Sequence, residues 1–116
     1  MEKRRSNSLH IIDCIEAMLL GLEKSKKRVE IYNMGSENQI DVKTIAQTVI
    51  EEMELKNVKL TFTGGVDDGR GWVGDVKNML IDVSKIKSLG WKPKLNSKQA
   101  VRKAIKHLKT SAHFAQ

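Results

Sequence analysis

The apolar positions of this chain fall into segments whose spacing changes along its length. Ile11, Ile15, Met18, Leu19 and Leu22 recur at helical spacing, which predicts a core-facing helix over Ile11 to Leu22 with Asp13 as N-cap or first-turn acid. Charged residues from Glu23 to Arg28 end it, and Val29 to Asn33 then alternates as a short strand with Val29 and Ile31 on one face. A turn at Asn33-Met-Gly35-Ser36 leads to Asp41, an N-cap for a second helix lined on one side by Val42, Ile45, Ala46, Val49, Ile50 and Met53. Val58, Leu60 and Phe62 alternate with Lys59 and Thr61, so a further strand is expected there, half-buried and leading into a glycine-rich loop. Beyond that loop, Met79 to Ile81 reads as a brief extended piece. Asp82 or Ser84 then caps a short helix that Gly90 ends, and Trp91 and Pro93 close the turn. Asn96-Ser-Lys-Gln99 has the form of a capping box before a last helix with Ala100, Val101, Ala104, Ile105 and Leu108 as its buried stripe. Helix, strand, helix and strand in succession imply a small mixed α/β unit. Three regions are expected: a basic N-terminal segment over 1–10, the α/β domain over 11–109, and a frayed tail over 110–116.

The loop from Thr63 to Asp75, Thr-Gly-Gly-Val-Asp-Asp-Gly-Arg-Gly-Trp-Val-Gly-Asp, fits neither period. Its five glycines open the backbone to positive φ and to close approach by a ligand. Among them stand Arg70, Trp72 and the carboxylates Asp67, Asp68 and Asp75. That set suits a ligand bearing both phosphate and hydroxyl groups. Arg forks onto phosphate oxygens, carboxylates accept from sugar hydroxyls, and indole covers an apolar face. The plain alternative is an ordinary surface loop. Its place after a strand favours the ligand reading by analogy with open α/β sheets, where ligands gather at the strands' C-terminal ends.

Composition narrows the classes. With 116 residues, 40% hydrophobic and 30% charged, the chain has the size and balance of one soluble domain. No apolar run approaches the roughly 20 residues that span a bilayer, and the basic N-terminus is not followed by a signal-type apolar block, so a cytoplasmic protein is expected. Cys14 is the single cysteine and falls on the apolar side of the first helix, as a small buried hydrophobe would. The formal charge of +7 admits nucleic acid, acidic lipid or phosphorylated small molecules, but it is dispersed over the N-terminus, Lys24 to Arg28 and the last helix. His10, His107 and His113 lie far apart in sequence and show no zinc-type spacing, and His10 reads as a structural residue at a helix start. There is no Gly-x-Gly-x-x-Gly after a strand, no phosphate loop and no Gly-x-Ser-x-Gly. No self-contained catalytic apparatus is visible.

Four pieces in order carry a resemblance. They are Leu9-His-Ile-Ile-Asp13, Tyr32-Asn-Met-Gly35 with Ile40-Asp-Val42, Arg70-Gly-Trp-Val-Gly-Asp75, and Asp82-Val-Ser-Lys85 with Leu89-Gly-Trp-Lys-Pro93. Together they resemble the C-terminal portion of extended short-chain dehydrogenase/reductases, the NAD-dependent nucleotide-sugar epimerases and dehydratases typified by UDP-glucose 4-epimerase. The resemblance runs from about Arg5 to Leu108 and implies an α/β unit without the Rossmann cofactor domain. It further implies a nucleotide-sugar ligand such as a UDP- or dTDP-hexose, with Arg70 on the diphosphate, Asp75 on the ribose hydroxyls and Trp72 walling the pocket. The family's NAD is held and its chemistry done by the other half, through a glycine fingerprint and a Tyr-x-x-x-Lys pair. Here Tyr32 is the only tyrosine and Ser36 stands four residues on. The chain alone is therefore expected to bind no cofactor and to be inactive. The resemblance also implies that an apolar face in the region of Ile11 to Ile50 has lost its cover, which predicts a homodimer or a separate cofactor-domain partner. A second reading, a basic module binding nucleic acid through Lys98, Arg102, Lys103, Lys106 and Lys109, has few aromatics and no groove-reading motif to support it.

Overall fold

The computed structural model describes residues 4–66 and 70–111. They form β1 (Arg5–Ser6), α1 (Ile11–Lys24), β2 (Ile40–Asp41), α2 (Val42–Glu52), α3 (Ser84–Lys87) and α4 (Ser97–Ser111). β1 pairs antiparallel with β2, Arg5 opposite Asp41 and Ser6 opposite Ile40. On its other side, the Arg5 N–H donates to the Lys77 carbonyl at 2.8 Å and its carbonyl accepts from the Met79 N–H at 3.1 Å. Within the expected basic N-terminal segment, Arg5 is thus paired on both sides. It ties the exit of the glycine loop to the start of α2.

α1 is capped by His10, whose Nδ1 accepts the Ile12 N–H at 3.2 Å, so the expected structural role of that histidine at a helix start is seen. Asp13 lies one turn in. Its buried carboxylate accepts the N–H groups of Lys94 at 3.1 Å and Leu95 at 3.2 Å, and its carbonyl accepts Trp91 Nε1–H at 3.1 Å. The 91–95 turn is held against the helix by these bonds.

The apolar stripe expected to face the core does not. Ile11, Ile15, Met18, Leu19 and Leu22 are exposed, Leu22 by 79%, and the buried side of α1 is Asp13, Ala17 and Gly21, four residues apart on one face. Ala17 packs with Val83, Ile86 and Trp91 to form the core, flanked by Leu9, Leu20, Tyr32, Met34, Ile81 and Leu89. Small residues on this side let Trp91 and Ile86 approach the helix closely, and the large side chains project where no second layer covers them. Cys14 is half-buried beside this face.

The strands expected at Val29 to Asn33 and Val58 to Phe62 are not formed. A strand exists only through its ladder, and among the described residues the one sheet is β1 with β2. Ile31 is left 77% exposed. Of Met79 to Ile81, only Met79 joins the ladder of β1.

α2 begins as its sequence predicts, with Asp41 Oδ1 accepting the Thr44 N–H at 2.6 Å. That amide holds the Asp41 carboxyl below the usual carboxylate range. The folded-state value lies below the unfolded one, so the cap stabilises fully above about pH 4 and its contribution is lost as acid protonates the folded carboxylate. Asp41→Ala is expected to cost about 1 kcal/mol near pH 7 and clearly less near pH 3 by urea unfolding. An equal cost at both would assign the effect to packing instead.

α2 packs on α4, where Arg102 reaches Glu51 at 3.1 Å and Glu52 at 2.9 Å. The capping box is present: the Gln99 N–H donates to Asn96 Oδ1 and the Asn96 N–H to Gln99 Oε1, both at 2.9 Å. Ser36 and Ser97 hydroxyls meet at 2.6 Å with no solvent exposure, and Ser97 Oγ also accepts the Ser8 N–H, locking the start of α4 to the turn after Met34. Gly90, at φ +97°, ends the turn after α3 as expected. α4 continues through Thr110 and Ser111, which were expected in the tail, and 112–116 lie outside the described residues.

Candidate functional site

Across the glycine loop, Val66 and Arg70 form an antiparallel bridge. Val66 and Arg70 exchange backbone hydrogen bonds at 2.8 and 2.9 Å, which brings the chain back on itself before Gly71. Asp67 and Asp68, both candidate carboxylates, lie outside the described residues. After Arg70 the chain turns again, with the Asp75 N–H donating to the Trp72 carbonyl at 3.1 Å and Gly74 at φ +90°. The Trp72 ring lies over Gly74, where an added Cβ would stand 3.2 Å from it, so the glycine lets the indole fold back over the turn. Trp72 itself is 65% exposed.

Asp75 organises this turn. Its Oδ2 accepts the Gly71 N–H at 3.2 Å, its Oδ1 accepts the adjacent Val76 N–H at 2.9 Å, and its side chain is only 7% exposed. Arg70, Trp72 and Asp75 therefore share one turn, linked through the backbone at Gly71 and Trp72. Arg4, just before β1, places a guanidinium nitrogen 3.2 Å from Asp75 Oδ1. No pattern in the sequence singles out Arg4, because the pairing depends on β1 lying against Lys77–Met79.

A groove of about 510 Å³ runs between the exposed side of α1 and the extended chain after it, lined by Met18, Leu22, Arg28, Glu30, Tyr32 and Met34 among others. Tyr32 donates to Glu30 Oε2 at 2.6 Å, with Lys85 Nζ 4.7 Å above its ring. The hydrogen bond to Glu30 raises the phenol above its ordinary value, and the same bond lowers Glu30. A phenol held protonated in this way is the reverse of one prepared to take a proton.

Three of the basic residues of α4 are engaged by the end of α2. Besides the Arg102 pairs, Lys106 lies 4.0 Å from Glu52 and Lys109 Nζ donates to the Glu52 carbonyl at 3.0 Å. Among the described residues no group of three or more His, Cys, Asp or Glu could hold a metal, and no helix is long and apolar enough to cross a membrane.

No family model matches the chain. The human dTDP-D-glucose 4,6-dehydratase is 29% identical over 107 residues, covering 92% of this chain and 30% of that protein. Among solved structures, a UDP-galactose 4-epimerase superposes with a TM-score of 0.73 at 28% identity, over 93% of this chain and 34% of its own. The UDP-glucose 4-epimerase of Thermotoga maritima, solved with UDP-glucose, superposes with a TM-score of 0.75 at 20% identity over 97% and 34%, a likeness of fold alone. The chain thus spans about a third of the length of the relatives it matches. The ordered sequence pieces, the small mixed α/β unit that carries them and these partial alignments agree: the chain matches the C-terminal part of an extended short-chain dehydrogenase/reductase of the epimerase and dehydratase type.

Proposed function

We propose that this chain is the nucleotide-sugar-binding part of an NAD-dependent epimerase or dehydratase and performs no reaction by itself. The observation that carries this reading is the single turn that brings together Arg70, Trp72 and the buried, hydrogen-bonded carboxylate of Asp75. A carboxylate fixed by two backbone N–H groups is a pre-oriented acceptor for a vicinal diol, and an Arg five residues before it suits a diphosphate. The names of the relatives support a UDP- or dTDP-hexose as ligand.

The described residues do not fit the family's dinucleotide. α2 opens on the Asp41 carboxylate, which would repel a pyrophosphate, and α1 opens on buried His10 with no glycine turn before it. Tyr32, the only tyrosine, has Ser36 where a lysine would follow and is tied to Glu30. A cofactor-binding unit would come from elsewhere and would seat on the exposed face of α1 and the unpaired chain at Val29 and Ile31.

Calorimetric titration with UDP-glucose and dTDP-glucose tests the reading. Saturable binding is expected in the parent, weakened about 100-fold or more in an Arg70→Ala, Asp75→Ala double variant that loses two charge-assisted contacts. No saturable heat in either the parent or an Arg4→Gln variant, whose Asp75 is released from the ion pair, would overturn it. The basic-module reading has its readout in the same protein, as steeply salt-dependent binding of RNA or DNA, and the Glu51 and Glu52 pairs on α4 weigh against it.

A further inference from the structure

The proposed ribose acceptor is already engaged. Of the Asp75 oxygens, Oδ2 accepts one backbone N–H, whereas Oδ1 accepts the Val76 N–H and also faces the Arg4 guanidinium at 3.2 Å. A carboxylate offers about four acceptor directions, so Oδ1 has none left while Arg4 is in place. A vicinal diol grips both oxygens of a carboxylate at once. Arg4 therefore occupies the position that one of the two hydroxyls needs. It also covers the carboxylate, whose side chain is 7% exposed against 37% for the arginine.

The two partners differ in how firmly they are held. Asp75 is fixed by Gly71 and Val76 on its own loop, so its orientation does not require the arginine. Among the described residues the buried Arg4 Nε finds no hydrogen-bond partner, so the guanidinium sits in place at the cost of one unsatisfied donor there. The backbone anchors of β1 make no use of the Arg4 side chain. The Arg4 carbonyl accepts the Val42 N–H, and the ladders on both sides run through Arg5. The side chain can swing out while the strand stays paired.

We propose that the Arg4–Asp75 ion pair is an autoinhibitory latch across the hydroxyl-accepting carboxylate, which a nucleotide must open in order to bind. This rests on the reading of Asp75 as the ribose acceptor. The latch makes ligand and Arg4 competitors for Oδ1, so removing the competitor tightens binding. A phosphate ligand in Arg4's place would do the opposite when removed, and the sign of one substitution separates the two roles.

The test is calorimetric titration of the full chain with UDP-glucose, comparing the parent, Arg4→Gln and Asp75→Asn, with thermal unfolding to verify that β1 remains paired. Arg4→Gln is expected to bind about 1.5-fold to fivefold more tightly, the range for loss of a partly exposed ion pair that binding must break. Asp75→Asn is expected to bind more weakly than the parent. Unchanged or weaker binding by Arg4→Gln, with the parent binding saturably, overturns the latch and leaves the nucleotide-sugar reading standing. A parent that does not bind, with Arg4→Gln that does, supports the latch in its strongest form. No binding by either overturns both.

Discussion

Replacing Asp13 by alanine is expected to cost this protein about 2–4 kcal/mol, the largest loss from any single side chain outside the apolar core. The carboxylate is 2% exposed and is the acceptor for two backbone N–H groups, those of Lys94 and Leu95. Alanine would leave both donors without their partner in a half-buried turn, each at about 1–3 kcal/mol when water cannot replace the bond fully. The damage would spread. Trp91 enters the core from the same turn, and its indole N–H reaches the Asp13 carbonyl, so loosening of 91–95 withdraws a large side chain from Ala17, Val83 and Ile86. Urea unfolding followed by tryptophan fluorescence measures it, and Asp13→Asn, which keeps an acceptor oxygen, is expected to lose less than the alanine variant. A midpoint within error of the parent would show that the turn is held by packing alone.

The second large effect concerns association. α1 presents Ile11, Ile15, Met18, Leu19 and Leu22 to solvent, and Val29 and Ile31 extend the same character along unpaired chain. Exposed apolar surface on this scale drives association, each large side chain contributing about 1.5–3 kcal/mol once covered. The parent chain is expected to sediment as a dimer or larger species at micromolar concentration, or to bind a hydrophobic dye. Leu19→Glu with Leu22→Glu is expected to weaken self-association about 100-fold or more and to reduce dye binding, with the fold intact because neither residue touches the core. A parent that is monomeric and dye-free would refute the account of this face.

The helices were legible wherever local chemistry decides them. Asp41 before Val42, the Asn96 and Gln99 box, and Gly90 after α3 each satisfy backbone groups within a few residues, so sequence spacing carries the information. The orientation of α1 was not legible, because periodicity identifies an apolar face without saying what stands opposite it. Ala17 and Gly21 face the core for being small, a property that the spacing of large hydrophobes does not carry. The strand that alternation predicts at Val29 to Asn33 is absent for a related reason, since alternation describes side chains and a ladder needs a neighbour. Arg5 and Ser6 carry no alternation, and their pairing on both sides follows from distant segments. In the candidate site, the glycines marked the turn and placed Arg70, Trp72 and Asp75 in it. The Arg4 contact was hidden because an ion pair between remote positions leaves no local trace.

The two-sided pairing of β1 has a further consequence during synthesis. Arg5 leaves the ribosome long before Asn78, its partner on one edge, and before Asp41, its partner on the other. Translation therefore delivers β1 first and the means of holding it last. Until the chain beyond the glycine loop emerges, Arg4 and Arg5 lack their partners on that side, two cations open to acidic chaperone surfaces or to the ribosome's own phosphates. Closure of the sheet is a long-range event, so the glycine loop acquires its shape only after the strand that waited for it is captured.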